Sequence, residues 1–115
     1  MVSKQEFHTG FKSGTYVGDG GATKAITGIG FQPKFIMIYP QIPGTSGSYI
    51  GLKCSDDALN TFVQRNDGIG NQWEADHIIS LDTDGFTVGD GTGGAGNFFN
   101  VNLRNYVYQA WAEGV

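Results

Sequence analysis

The chain has 115 residues, 19 of them Gly, and its 7 basic and 11 acidic residues give a net charge of −4. The length fits one domain, the frequent aromatic and β-branched residues exclude disorder, and the high Gly content excludes a long-helix protein. The basic residues never cluster, so we expect neither a nucleic-acid partner nor a membrane surface as partner.

The chain begins with a polar arm, residues 1–5, which consists of Met1, Val2, Ser3, Lys4 and Gln5. The arm has no apolar signal core, which predicts a protein made in the cytoplasm without a signal peptide. The elements expected after it are short: a strand from Glu6 to Lys12, the run 15–17, a Gly-rich turn over 18–21 and a strand over 23–27.

The clearest strand runs from Lys34 to Tyr39, directly after a proline that cannot donate to a sheet. Side chains alternate along a strand, and both faces of this one are apolar. Something must therefore cover the second face, either a loop of the same chain or another subunit. We predict an oligomer interface that includes Ile36, Ile38 or Tyr39.

The second half of the chain continues the pattern of short strands. Strands are expected over 49–54 and 61–65, followed by a polar loop over 66–76 and a Gly-rich loop over 89–96. The runs 77–81 and 86–88 flank a turn in which Gly85 is expected to be left-handed, so they should pair as a hairpin. A last alternating strand covers 106–113. The predicted fold is all-β: a single antiparallel β-sandwich, jelly-roll-like with long Gly-rich loops, over residues 6–115.

No spacing in the chain marks an active site or a cofactor site. The Gly-rich stretches have no helix behind them to bind phosphate, and the only histidines, His8 and His77, are too few for zinc. Cys54 is the only cysteine, which excludes an internal disulfide. We therefore predict no enzymatic activity, no cofactor and no metal site.

The acidic residues allow one further kind of site, for a calcium ion. The segment 82–85 begins like a calcium loop, but it lacks the third acidic ligand and the Glu at the twelfth position, which favours a hairpin turn. A structural calcium ion held by acids from several loops stays an alternative. The acids concerned are Asp56, Asp57, Asp67 and Asp76.

Trp73 is the one aromatic residue placed in the predicted polar loop. An aromatic ring beside amides and acids is typical of a glycan contact, because sugars stack on such rings. The alternative is that Trp73 folds back and caps the sandwich.

Four motifs resemble a β-rich module of tailed-phage virion proteins. They are a GTYxGxG turn at residues 14–20, an ITGxGFxP connector at 26–33 with its apolar strand, a DxDGF hairpin at 82–86 and a closing YxxxAW strand at 106–111. The resemblance covers the first third of the chain, the hairpin and the last strand, but not residues 40–75. Because these are turn and core residues, it implies the fold more directly than the function.

The resemblance implies a non-enzymatic structural protein of the virion. We expect a head decoration (cement) protein on the capsid surface, a homo-oligomer with a trimer as the expected state. Its partners would be itself and the major capsid protein or other virion proteins, and the arm over residues 1–5 would order against the particle. The alternatives are a tail-fibre or receptor-binding tip that recognises host-surface glycan, and a small hydrolase or isomerase.

Overall fold

The computed structural model describes residues 10–41, 49–54, 60–65, 70–91 and 98–112. The described residues form nine β-strands, which confirms the all-β class. In chain order they are β1 (Phe11–Val17), β2 (Thr23–Ile26), β3 (Phe35–Pro40), β4 (Tyr49–Cys54), β5 (Asn60–Arg65), β6 (Gln72–Ala75), β7 (Ile78–Asp82), β8 (Gly85–Gly89) and β9 (Asn105–Trp111).

The strands form two antiparallel sheets of unequal size. The larger has six strands in the order β1-β9-β3-β4-β5-β6, and the smaller has three in the order β2-β8-β7. The first and last strands pair along their whole length, with Tyr16 opposite Tyr106. The two sheets share one core, so the fold is a β-sandwich, as predicted.

The core lies between the sheets and is filled by inward-facing residues of strands from both. Its members are buried apolar side chains from both sheets, from the connector between β2 and β3 and from the segment before β9: Tyr16, Ile26, Ile29, Ile36, Ile38, Val63, Ile78, Phe86, Val88, Phe98, Phe99, Tyr106, Tyr108 and Ala110. Phe99 lies directly over Gly51, where an added Cβ would be 2.6 Å from the ring atom Cζ. Glycine at 51 therefore makes room for the aromatic ring.

The hairpin around residues 82–85 forms as predicted, by pairing of β7 and β8. Gly85 is needed in this hairpin for a reason other than the left-handed backbone that the sequence predicts. The glycines with positive φ do not include Gly85. A Cβ at this position would instead clash with the backbone oxygen of Ile26 on neighbouring β2. Close approach of two strands, and not left-handed backbone, requires glycine here.

Two predicted boundaries are wrong in informative ways. The described first strand does not end at Lys12 but continues through residue 14 to Val17, because the whole segment pairs with β9. Trp73 does not lie in a loop: Gln72–Ala75 is a strand that pairs with β5, with Trp73 opposite Phe62. Cross-strand pairing supplies a neighbour that the polar local sequence did not indicate.

Candidate functional site

The described residues offer one extended surface for interaction, the outward face of the six-stranded sheet. Strand alternation places every second residue on this face, and the residues between them are mostly buried in the core. The outward residues are Phe11, Ser13, Thr15, Val17, Phe35, Met37, Tyr39, Ile50, Leu52, Cys54, Phe62, Gln64, Trp73, Ala75, Asn105, Val107, Gln109 and Trp111. None of these outward residues is charged.

Aromatic side chains form two groups on the outward face. At one corner, Trp111 contacts Phe11 and Phe35, with ring centroids 5.3 Å and 5.2 Å apart. Across the sheet, Phe62 and Trp73 meet edge to face at 5.4 Å. Phe11 is 46% exposed and Trp73 is 58% exposed, so large apolar side chains meet water at both corners. Groups of exposed aromatic side chains on an uncharged face are typical of interaction sites.

A second cluster, buried and polar, lies on the inner side of the same sheet where β5, β6 and β7 meet. Arg65 on β5 forms an ion pair with Glu74 on β6, and each side chain is only 7% exposed. His77, just before β7, has its Nε2 atom 3.1 Å from Oε1 of the same carboxylate. One carboxylate therefore joins three neighbouring segments.

Aromatic rings enclose the polar cluster. Phe98 stacks on His77 with centroids 4.5 Å apart, and it stacks on Tyr49 at 3.7 Å. The Arg65 guanidinium lies 5.1 Å from the Phe98 ring centre and 5.4 Å from that of Tyr49. Cation–π contacts of this type stabilise a buried cation.

Burial dominates the chemistry of His77. Burial lowers the pKa of His77, although the hydrogen bond to Glu74 opposes that shift. The carboxylate accepts from Nε2–H, so Nδ1 carries the lone pair, and Nδ1 is buried without a hydrogen-bond partner. The hydrogen bond of His77 therefore joins the start of β7 to Glu74 on β6.

The connector and hairpin motifs contact each other. The Asp84 carboxylate accepts hydrogen bonds from the backbone N–H groups of Gly28, at 3.0 Å, and Gly30, at 2.7 Å. Both glycines have positive φ, 83° and 99°, which is the backbone region that favours glycine. The two motifs together form a clasp that fixes the connector to the β7–β8 turn.

The turn after β1 is held in a similar way. Asn100 donates from Nδ2 to Oδ1 of Asp19 and to the carbonyl of Gly21, both at 2.9 Å. The N–H of Gly21 also donates to the Asp19 carboxylate, and these hydrogen bonds lower the pKa of Asp19. The motifs that carry the phage resemblance thus hold loops together in this structure.

The structure corrects part of the predicted interface. Ile36 and Ile38 are both 0% exposed and belong to the core shared by the two sheets. The chain's own second sheet covers their face, so neither side chain can contact another subunit. Tyr39 lies on the opposite, outward face and is partly exposed. Its role at an interface stays a prediction.

The other predicted site residues divide between described and undescribed segments. Trp73 is exposed, so the alternative that it folds back and caps the sandwich is wrong. Its contact with glycan stays a prediction. Cys54, the only cysteine of the chain, is exposed. The arm Met1–Gln5, His8 and the acids at 56, 57 and 67 lie outside the described residues.

Neither a metal centre nor a membrane helix is found in the described part of the chain. Its histidine, cysteine and acidic side chains form no group of three that could bind a metal ion. None of its segments is a helix of the length and hydropathy needed to cross a bilayer.

The sequence alone does not predict the buried polar cluster, and it predicts the outward face only in part. Arg65 and Glu74 are nine residues apart in the chain; the pairing of β5 with β6 brings their strands together, and the Arg65 side chain reaches along the sheet to Glu74. The outward face was detectable in part, because residues 11–17 and 105–111 alternate without an outward charge. The register that joins these runs into one surface is a tertiary property.

Comparison with known proteins gives a family but no function. No curated protein matches the chain, and no solved structure matches it. A family does match over residues 8–115, which is nearly the whole chain. The chain belongs to the family described as Domain of unknown function (DUF7483).

Proposed function

We propose that this chain is a non-enzymatic structural protein of a tailed-phage virion, with decoration of the head as its leading role. The observation that carries the proposal is the uncharged, largely apolar outward face of the six-stranded sheet. Soluble monomers rarely expose contiguous apolar surface beyond a few hundred Å². A face that spans six strands is therefore better explained by a permanent protein partner than by water.

The motif geometry supports the same reading. The residues that resemble phage modules are used for hydrogen bonds within the chain: Asp84 binds the connector, and Asp19 binds Asn100. Such clasps hold loops in fixed positions between strands. Fixed loops on a sandwich suit a protein that contacts a repeating shell, where many weak contacts act together.

The second candidate function is a tail-fibre or receptor-binding tip that recognises host-surface glycan. The observation that favours it is Trp73, which is 58% exposed and edge to face with Phe62. An exposed indole at a sheet edge can stack on a sugar ring. In this case the sugar would bind at the β5–β6 corner, away from the loops held by the two clasps.

Localisation on the virion tests the proposal. Cryo-electron microscopy of virions purified from cells that express this chain, with a tagged copy for identification, is expected to show it on the head in a symmetric array. Co-sedimentation of the purified chain with heads that lack it should be saturable. Density at the tail tip, together with glycan binding lost in Trp73→Ala, would favour the second function. Absence of the chain from purified virions would overturn both.

A further inference from the structure

The outward face of the six-stranded sheet also indicates which partner covers it. We propose that a second copy of this chain packs against the face, sheet to sheet, about a two-fold axis, which replaces the trimer expected from the resemblance. The inference rests on the proposed function, because it assigns the assembly surface of that structural protein. It leaves the loops and the smaller sheet for contacts with other virion proteins.

Charge is the first argument for a second copy. The chain carries a net charge of −4, yet none of the described outward residues is charged. In a two-fold interface the same patch lies on both sides, so any charge near the axis would face a like charge. A charge-free patch on an acidic protein avoids that repulsion. Partners recognised by charge, such as nucleic acid or an acidic glycan, find no complementary group there.

Area is the second argument. Strands lie about 4.8 Å apart and rise about 3.3 Å per residue, so six strands of about six residues give a footprint on the order of 500 Å². Two copies would bury on the order of 1,000 Å² in total, which reaches the size of a specific interface. A second sheet of equal width fills this area, whereas a single peptide strand or a sugar would leave most of it exposed.

The shape of the face is the third argument. Met37 on β3 pairs in register with Leu52 on β4 and with Gln109 on β9, so these three side chains lie at the middle of the sheet. The aromatic groups of Trp111 and of Trp73 lie towards opposite ends of the strand order. Sheets that stack face to face do so about 10 Å apart by interdigitating such side chains.

A charge at the middle of the face tests the inference. In Gln109→Glu the side-chain shape is kept and a carboxylate is added, and in Met37→Glu the carboxylate lies at the centre. The matched control is Gln72→Glu, on an exposed residue that alternation places on the opposite side of β6 from Trp73. Circular dichroism and thermal unfolding establish that each variant is folded.

Sedimentation equilibrium of the purified full chain is the measurement. We expect a dimer for the unmodified chain and for Gln72→Glu, and dimer affinity weakened about tenfold or more in Gln109→Glu and Met37→Glu. A monomeric unmodified chain, a trimer, or a dimer that keeps its affinity in both face variants would overturn the inference. A chain that becomes dimeric only when residues 1–9 are deleted would show instead that its own N-terminal segment occupies the face.

The outcome is separable from that of the proposed function. If the chain is a dimer that the face variants weaken, but it is never found on virions, the inference stands and the proposed function is wrong. If the chain is a monomer that binds heads saturably, the proposed function stands and the inference is wrong.

Discussion

Removal of one buried hydroxyl group, in Tyr16→Phe, tests how the strand β1 is held to the core. The Tyr16 hydroxyl donates a 2.7 Å hydrogen bond to the backbone carbonyl of Phe99. Its ring stacks on Tyr106 at 5.1 Å and meets Phe86 edge to face at 6.1 Å. Phenylalanine keeps both ring contacts and removes only the donor.

The expected loss follows from the burial of both partners. A neutral hydrogen bond contributes about 0.5–1.5 kcal/mol, and an acceptor left buried without a partner costs about 1–3 kcal/mol. Phe99 is 0% exposed and Tyr16 is 8% exposed, so water does not readily replace the hydroxyl. We expect the free energy of unfolding to fall by about 1–3 kcal/mol. For a domain of this size that lowers the melting temperature by about 4 °C per kcal/mol.

Urea unfolding at 25 °C, at a concentration low enough for the chain to be monomeric, is the assay, with Tyr39→Phe as the matched control. Tyr39 loses the same hydroxyl from the partly exposed outward face, where a change within about 0.5 kcal/mol is expected. Equal effects of the two substitutions on the free energy of unfolding would refute the reasoning. The loss would then come from removing a tyrosine hydroxyl in general and not from the bond to Phe99.

Three further outcomes follow from the described contacts. Folding lowers the pKa of His77. The protein should therefore be most stable above a pH of about 6.5, the pKa of histidine in the unfolded chain, and lose stability as the pH falls below that value. A urea midpoint unchanged from pH 8 to pH 5 would contradict this. Gly51→Ala places a methyl group against the Phe99 ring and should cost about 1–3 kcal/mol in urea unfolding, so an unchanged midpoint would exclude the contact. Asp84→Ala removes both hydrogen bonds of the clasp. It should lower the free energy of unfolding by about 1–2 kcal/mol and speed amide exchange at Gly28. Thr83→Ala, in the same turn, should change neither the stability nor the exchange rate.

The strand content could be predicted because it depends on local sequence. Residues 106–111 alternate between buried and partly exposed positions in the structure as they do in the sequence, since the side-chain period of a strand is two. The hairpin over 78–89 forms where the sequence predicts it, with Thr83 and Asp84 as the turn residues. The polar run around Trp73 predicts a loop but forms a strand, because its strand character comes from its partner, β5, and not from its own residues.

The sequence by itself determined the class of fold, the absence of charge along individual strands and the positions of the turns, because these depend on neighbours within a few residues. Only the tertiary structure decided which face of β3 is core: Ile36 and Ile38 face the second sheet, and Tyr39 faces outward. It also decided that Glu74 reaches both Arg65 and His77. Strand order and register create these relations by joining residues distant in the chain, and local propensity carries no information about them.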